Sequence, residues 1–179
     1  MPRVNVFLKW CAALAVFTTC SVHGFDLSLE SGGVRGAFSN PFNRARFYHT
    51  EAFLNWDTPW RWQPAADWTF ATRLELTGGR MFGRGDDAAF VTVGPGFVVS
   101  RAPWPVALEL GVSPTVLGRE RFGKTDYGSY FQFTSHAGLA WHVTERCAVG
   151  ARFLHISNAD IGPSNPGLNL YSLGVGWQF

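Results

Sequence analysis

Leu170-Tyr-Ser-Leu-Gly-Val-Gly-Trp-Gln-Phe179 closes the chain. Successive side chains of a strand point to opposite faces. One face of this stretch is therefore Tyr171, Leu173, Val175, Trp177 and Phe179, and the other is Ser172, Gly174, Gly176 and Gln178. The first face is wholly apolar, and the second is small or polar without a single charge. The same division recurs upstream. Trp68, Phe70, Leu74 and Leu76 oppose Thr69, Arg73, Glu75 and Thr77; Val106, Leu108, Leu110 and Val112 oppose Ala107, Glu109 and Ser113; Phe131, Phe133, Leu139, Trp141 and Val143 oppose Gln132, Thr134, His136 and His142.

Alternation alone also suits a soluble barrel with its apolar face turned inward around a ligand. The polar face decides between the two. A water-facing exterior carries many Lys and Glu, whereas this face is rich in Gly, Ala, Ser and Thr, with a few pairable charges such as Arg73, Glu75, Glu109 and Arg152. Those residues suit the narrow lumen of a small barrel whose outer face meets lipid. From Phe25 onward the period-two pattern yields eight segments: 25–32, 46–56, 67–77, 88–100, 105–114, 130–143, 147–156 and 170–179. An even number of roughly ten-residue strands predicts an all-β fold, an eight-stranded antiparallel transmembrane β-barrel. The terminal Phe179 with Trp177 and Tyr171 on its face resembles the signal read by barrel-assembly machinery. Val143 to Cys147 reads as a tight periplasmic turn, while 78–87 and 118–128 read as longer polar outer loops. Trp56, Trp60, Trp62 and Trp68 suit an interfacial aromatic girdle, with Pro59 and Pro64 breaking the strand between them.

The N-terminus agrees with export. Arg3 and Lys9 precede an apolar stretch from Trp10 to Phe17 and small residues near Gly24, the pattern of a secretory signal peptide over residues 1–24. Phe17, Thr18 and Thr19 make a poor lipobox before Cys20, so residues 25–179 are expected as an unlipidated barrel domain of about 155 residues. The leader carries two of the 15 basic residues and none of the 13 acidic ones, so its loss brings the formal charge to zero. That balance, without a basic run, argues against nucleic acid as a partner. Cys147 is then the sole cysteine, read as a small apolar strand residue, and no disulfide is expected. The composition of 16 Phe, 8 Trp and 20 Gly fits a lipid-facing exterior around a cramped interior. Eight strands leave no open pore. The histidines His49, His136, His142 and His155 show no spacing that converges on a metal, so neither metal nor cofactor is expected, and His136 and His142 read as lumen residues.

The stretch with chemical potential is Arg152-Phe-Leu-His-Ile-Ser-Asn-Ala-Asp-Ile-Gly-Pro-Ser-Asn-Pro-Gly-Leu-Asn169. His155 and Ser157 leave the same face of the seventh strand, about 6.6 Å apart along the backbone. That face also carries Val149, Ala151 and Phe153, so it meets lipid. There His155 could take the Ser157 proton and the serine oxygen could attack an ester delivered laterally from the membrane. Asn169 has the parity of Tyr171 and so points outward beside His155, and Asn158 and Asn165 are nearby amide donors. The bland alternative is a chance His-x-Ser pair followed by ordinary Asn-Pro-Gly turn chemistry.

The run His155-Ile-Ser157-Asn158-Ala159, followed by Asn165-Pro-Gly167 and the terminal aromatic strand, resembles the lipid A 3-O-deacylases, an acyloxyacyl hydrolase family of outer-membrane barrels. The resemblance is most specific over 152–179. It implies a Gram-negative outer-membrane enzyme, a calcium-independent serine esterase that removes the acyl chain at position 3 of lipid A in lipopolysaccharide. It further implies Ser157 as nucleophile, His155 as general base, Asn165 as oxyanion donor and Asn158 in support. The family completes its triad with a Glu on the next strand, where this chain has Asn169. In serine proteases the comparable Asp to Asn change costs ~10⁴ in turnover, chiefly through the wrong tautomer. Asp160 is the nearest alternative carboxylate, in the loop. Two further readings of the same residues are a barrel with a decayed site, acting in packing or lipid binding, and a phospholipase-type esterase among the outer-membrane lipids.

Overall fold

The computed structural model describes residues 27–39 and 46–179; the leader over 1–24, with Phe25, lies outside them. The chain forms β1 (Ser28–Ser39), β2 (Phe47–Ala65), β3 (Trp68–Gly83), β4 (Asp86–Arg101), β5 (Val106–Leu117), a small hairpin β6 (Arg121–Phe122) and β7 (Thr125–Asp126), then β8 (Phe131–His142), β9 (Cys147–Ser157) and β10 (Leu168–Gln178). The eight long strands close into a barrel in the order β1-β10-β9-β8-β5-β4-β3-β2, every pairing antiparallel. Closure leaves no unpaired edge, the condition for β-structure in hydrocarbon.

The faces fall as the alternation predicts. Leu173 is 62 % exposed and Trp141 55 %, whereas Arg152 is 6 % exposed. Inside, Arg73 donates to Glu75 at 2.7 Å from Nε and to Glu109 at 2.8 Å, and Arg152 donates to Glu109 at 3.0 and 2.8 Å. His136 Nε2 lies 3.6 Å from Glu75, and Arg35 donates to Glu51 at 3.1 Å. Buried charges survive only when paired, and these close on one another across the lumen.

Three expectations are corrected. The strands are longer than the sequence suggested: β2 has 19 residues and β3 and β4 have 16 each, and β1 continues through Gly33 and Val34 to Ser39. Residues 78–83 therefore belong to β3, and the expected outer loop shrinks to a turn at Arg84 and Gly85. Pro59 and Pro64 do not end β2. They sit where its register against β3 shifts, between Asp57 and Arg61 and between Trp62 and Ala65, the irregular positions that tolerate a missing N–H. The lumen is not polar throughout: Phe47, Met81, Leu117, Leu154, Ile156, Leu168 and Leu170 make an apolar plug toward one end.

That end carries the long β5–β8 and β9–β10 connections beside the two-residue β3–β4 turn, and the opposite end carries only the short turns at 66–67, 102–105 and 143–146 among the described residues. Short turns are periplasmic in outer-membrane barrels and long connections are external. The external β5–β8 connection folds as the β6–β7 hairpin. Its Phe122 and Tyr127 pack edge-on with Phe47, ring centroids 5.7 to 6.0 Å apart, and cap the plug.

Candidate active site

β9 and β10 pair with His155 opposite Asn169, and β8 sets Ser135 beside His155 and Phe133 beside Ser157. The strand parity that buries Leu154 and Ile156 turns His155 outward at the external rim. Phe153 and Tyr171 lie next along the same outer face, rings 5.6 Å apart, and Phe38 extends the row at 6.0 Å from Tyr171. The imidazole stands where an apolar belt gives way to loop.

His155 Nδ1 lies 2.7 Å from Asn169 Oδ1. An amide oxygen accepts, so in this arrangement Nδ1 carries the proton and Nε2 holds the lone pair. Nε2 is the nitrogen available to a hydroxyl. Among the described residues no hydrogen bond joins it to Ser157 Oγ, so the two side chains share a face without being locked together.

The loop after β9 turns sharply, with Ala159 and Asp160 in left-handed backbone conformation at φ 53° and 61°. The Asn158 side chain organises that turn. Its Nδ2 donates to Tyr127 O at 2.9 Å and Ser164 O at 2.8 Å, and its Oδ1 accepts from Asp160 N at 2.9 Å. Asn158 is fully buried, so its amide points into the loop and not toward the rim. Asn165 Oδ1 accepts from Asn158 N at 3.2 Å, and Asn165 Nδ2 donates to Asp160 Oδ1 at 2.9 Å. An amide nitrogen has two hydrogens, and that bond uses one. Asp160 thus meets Asn165, while the neighbour of the imidazole is Asn169.

Gly167 ends the loop at φ 63°, and a Cβ there would stand 3.3 Å from His155 Cε1. This glycine lets the chain re-enter β10 close against the imidazole, a position the sequence marked only as part of Asn-Pro-Gly. Sequence reasoning missed Tyr127 and Ser164 altogether. Tyr127 was hidden in a stretch of charged residues that reads as solvated loop.

Comparisons with known proteins bear on the family and the fold. The family model described as "Lipid A 3-O-deacylase (PagL)" matches residues 48–178. The chain is 31 % identical over 145 residues to "Lipid A deacylase PagL" of Bordetella bronchiseptica, covering 74 % of this chain and 78 % of that protein. The crystal structure of the outer-membrane enzyme PagL superposes with a TM-score of 0.67 at 20 % identity, over 81 % of this chain and 97 % of that one. Neisserial surface protein A matches with a TM-score of 0.53 at 14 % identity, covering 86 % and 99 %. At such identities the two structures speak to the fold alone, an eight-stranded outer-membrane barrel. The extent of the family match and the identity to the curated relative go further, and together they establish that this chain belongs to the lipid A 3-O-deacylase (PagL) family.

Proposed function

We propose that this protein is an outer-membrane serine esterase that hydrolyses the 3-O-linked acyl chain of lipid A, with Ser157 as nucleophile and His155 as base. The observation that carries the reading is the His155 Nδ1 to Asn169 Oδ1 bond on the lipid-facing rim, because it leaves Nε2 free to accept a proton on the face shared with Ser157. Nε2 takes the Ser157 proton as Oγ bonds to the acyl carbonyl carbon. The tetrahedral oxyanion is met by the second Nδ2 hydrogen of Asn165, which loop ordering by Asn158 keeps near the serine. His155 returns the proton to the departing sugar hydroxyl. Water, deprotonated by the same imidazole, then releases the fatty acid from Ser157.

Placement supports this substrate class. An ester in the outer leaflet reaches the site sideways, with its chains against Phe153, Tyr171 and Phe38, and never enters the barrel. Removal of the leader 1–24 and insertion guided by the Phe179 terminus belong to the same proposal. Asn169 favours a second reading, a barrel of the same fold with a silent site, since an amide cannot stabilise imidazolium by charge. Mass spectrometry of lipid A from cells expressing the protein, beside Ser157→Ala, separates the two. Loss of one hydroxyacyl mass that vanishes in the variant supports the esterase; an unchanged profile with a folded barrel refutes it for this substrate.

A further inference from the structure

The β6–β7 hairpin shares no strand with the site, yet four contacts tie it to the loop that carries Asn158 and Asn165. Tyr127 O accepts from Asn158 Nδ2 at 2.9 Å, and Asp126 O accepts from Ser164 Oγ at 2.8 Å. Gly128, at φ 69°, lies so close to the loop that a Cβ there would stand 2.3 Å from Ser164 O. On the other side, a Cβ on Gly162 would stand 2.5 Å from Gly128 O. The hairpin is itself held in place. Phe122 and Tyr127 are buried in the apolar plug, and Gln132 Nε2 donates to Tyr127 O at 3.3 Å and Ser129 O at 2.7 Å from the start of β8. Asp126 closes its neck by accepting from Arg121 Nε at 3.2 Å and Gly128 N at 2.9 Å.

Residues 158–167 carry bonds of their own, chiefly Asn158 Oδ1 accepting from Asp160 N and Asn165 bridging Asn158 N and Asp160, and these shape the turn without fixing where it sits on the barrel. The loop spans the gap between β9 and β10 with no strand of its own and carries two non-glycine residues in left-handed conformation. Such backbone persists only when surroundings over-determine it. Here they are the bonds that Asn158 and Asn165 make inside the loop together with the hairpin, which anchors Asn158 and Ser164 from outside it.

We infer that the β6–β7 hairpin is a clamp that sets the conformation of the Asn158–Gly167 loop, with Ser164, Gly128 and the Tyr127 carbonyl as positioning groups for the esterase site. The inference rests on the proposed esterase reading for its effect on rate, but the clamp itself is a statement about loop order. Ser164 bonds outward from the loop to the hairpin and touches none of the reacting groups. Its loss therefore acts on the reaction only through the placement of Asn165 and Ser157.

The test compares wild type, Ser164→Ala, Ser164→Thr and Gly128→Ala in lipid nanodiscs, by hydrogen exchange and by steady-state kinetics on lipid A. Ser164→Ala removes one hydrogen bond, and Ser164→Thr keeps the hydroxyl. Gly128→Ala meets backbone that cannot give way and takes an unfavourable φ. The clamp predicts faster exchange at 158–167 in the Ala variants, with β8, β9 and β10 still protected. It also predicts kcat lowered about tenfold in Ser164→Ala with KM nearly unchanged, and recovery in Ser164→Thr. Unchanged loop exchange in both Ala variants overturns the inference, as does unchanged kcat in an active enzyme. If wild type releases no acyl chain but the loop still loosens in the variants, the clamp stands and the esterase reading falls.

Discussion

Replacing Asn169 with Asp exchanges an amide for a carboxylate of the same shape beside His155, so it isolates charge and tautomer control from packing. The wild-type contact is 2.7 Å from Nδ1 to Oδ1. An amide can present either its oxygen or its nitrogen to Nδ1, and the second orientation would leave Nε2 protonated and useless as a base; a carboxylate only accepts. It also stabilises the imidazolium formed as Ser157 is deprotonated. A full Coulomb term at ~4 Å and an effective dielectric of ~20 is about 4 kcal/mol, an upper bound at an exposed rim. The difference between a charged and a neutral hydrogen bond, about 1–2 kcal/mol, is the better guide. Asn169→Asp should therefore raise kcat about 5- to 30-fold with little change in KM. Asn169→Ala should lower kcat, because nothing then orients the ring. The assay is acyl-chain release from lipid A in mixed micelles, with Ser157→Ala as blank. An Asp variant that is no faster than wild type, in a barrel shown to be folded, refutes the assigned role of Asn169.

Gly167→Ala should reduce kcat, since its Cβ would press His155 Cε1, and should lower stability by no more than the about 1–2 kcal/mol that a side chain costs at φ 63°; rates and thermal melts of one preparation check this. Glu109→Gln leaves Arg73 and Arg152 with Glu75 as their remaining shared carboxylate, two buried cations on one anion, so it should destabilise the barrel by up to about 3–5 kcal/mol, read as a lowered urea midpoint in vesicles. Leu173→Arg, on an exposed mid-strand position of the lipid face, should cost about 2–4 kcal/mol in the same assay while Ser172 next to it faces inward. The hydrogen bond from Arg121, then that from Gly128 N, holds the Asp126 carboxyl below the ordinary aspartate range. Its contribution to hairpin order is thus present above the unfolded pKa and fades as acid titrates it through its lowered folded value. Hydrogen exchange at 121–128 should accelerate only below about pH 4, and Arg121→Gln should move that onset upward.

Strand period, face chemistry and the terminal aromatic pattern are local properties, and they sufficed for the barrel and its inside-out polarity. Tyr171, Leu173, Val175 and Trp177 declare an outer face because nothing polar interrupts them. The same parity placed His155, Ser157 and Asn169 on one surface. The resemblance over 152–179 pointed to a family that the match over residues 48–178 and the curated relative then established. What alternation could not convey was where a strand stops. Gly78 and Gly79, Pro59 and Pro64 are turn formers in isolation, but pairing on both sides and register shifts carry β2 and β3 through them.

Nor could local sequence show which residues of a charged loop turn inward. Phe122 and Tyr127 sit among Glu120, Arg121, Lys124 and Asp126, and only the apolar plug offered by Phe47, Leu154 and Leu170 selects them for burial. Asn158 likewise reads as one more amide by a serine until the Tyr127 carbonyl, 31 residues earlier, engages it. The choice between Asn169 and Asp160 as neighbour of the imidazole also fell to tertiary structure, since it depends on the β9–β10 register and on Asn165 capturing the Asp160 carboxylate. Pattern within a strand is written in side-chain period, which a sequence displays directly. Contacts between connections depend on which residues barrel closure brings together, and no stretch of chain contains that information by itself.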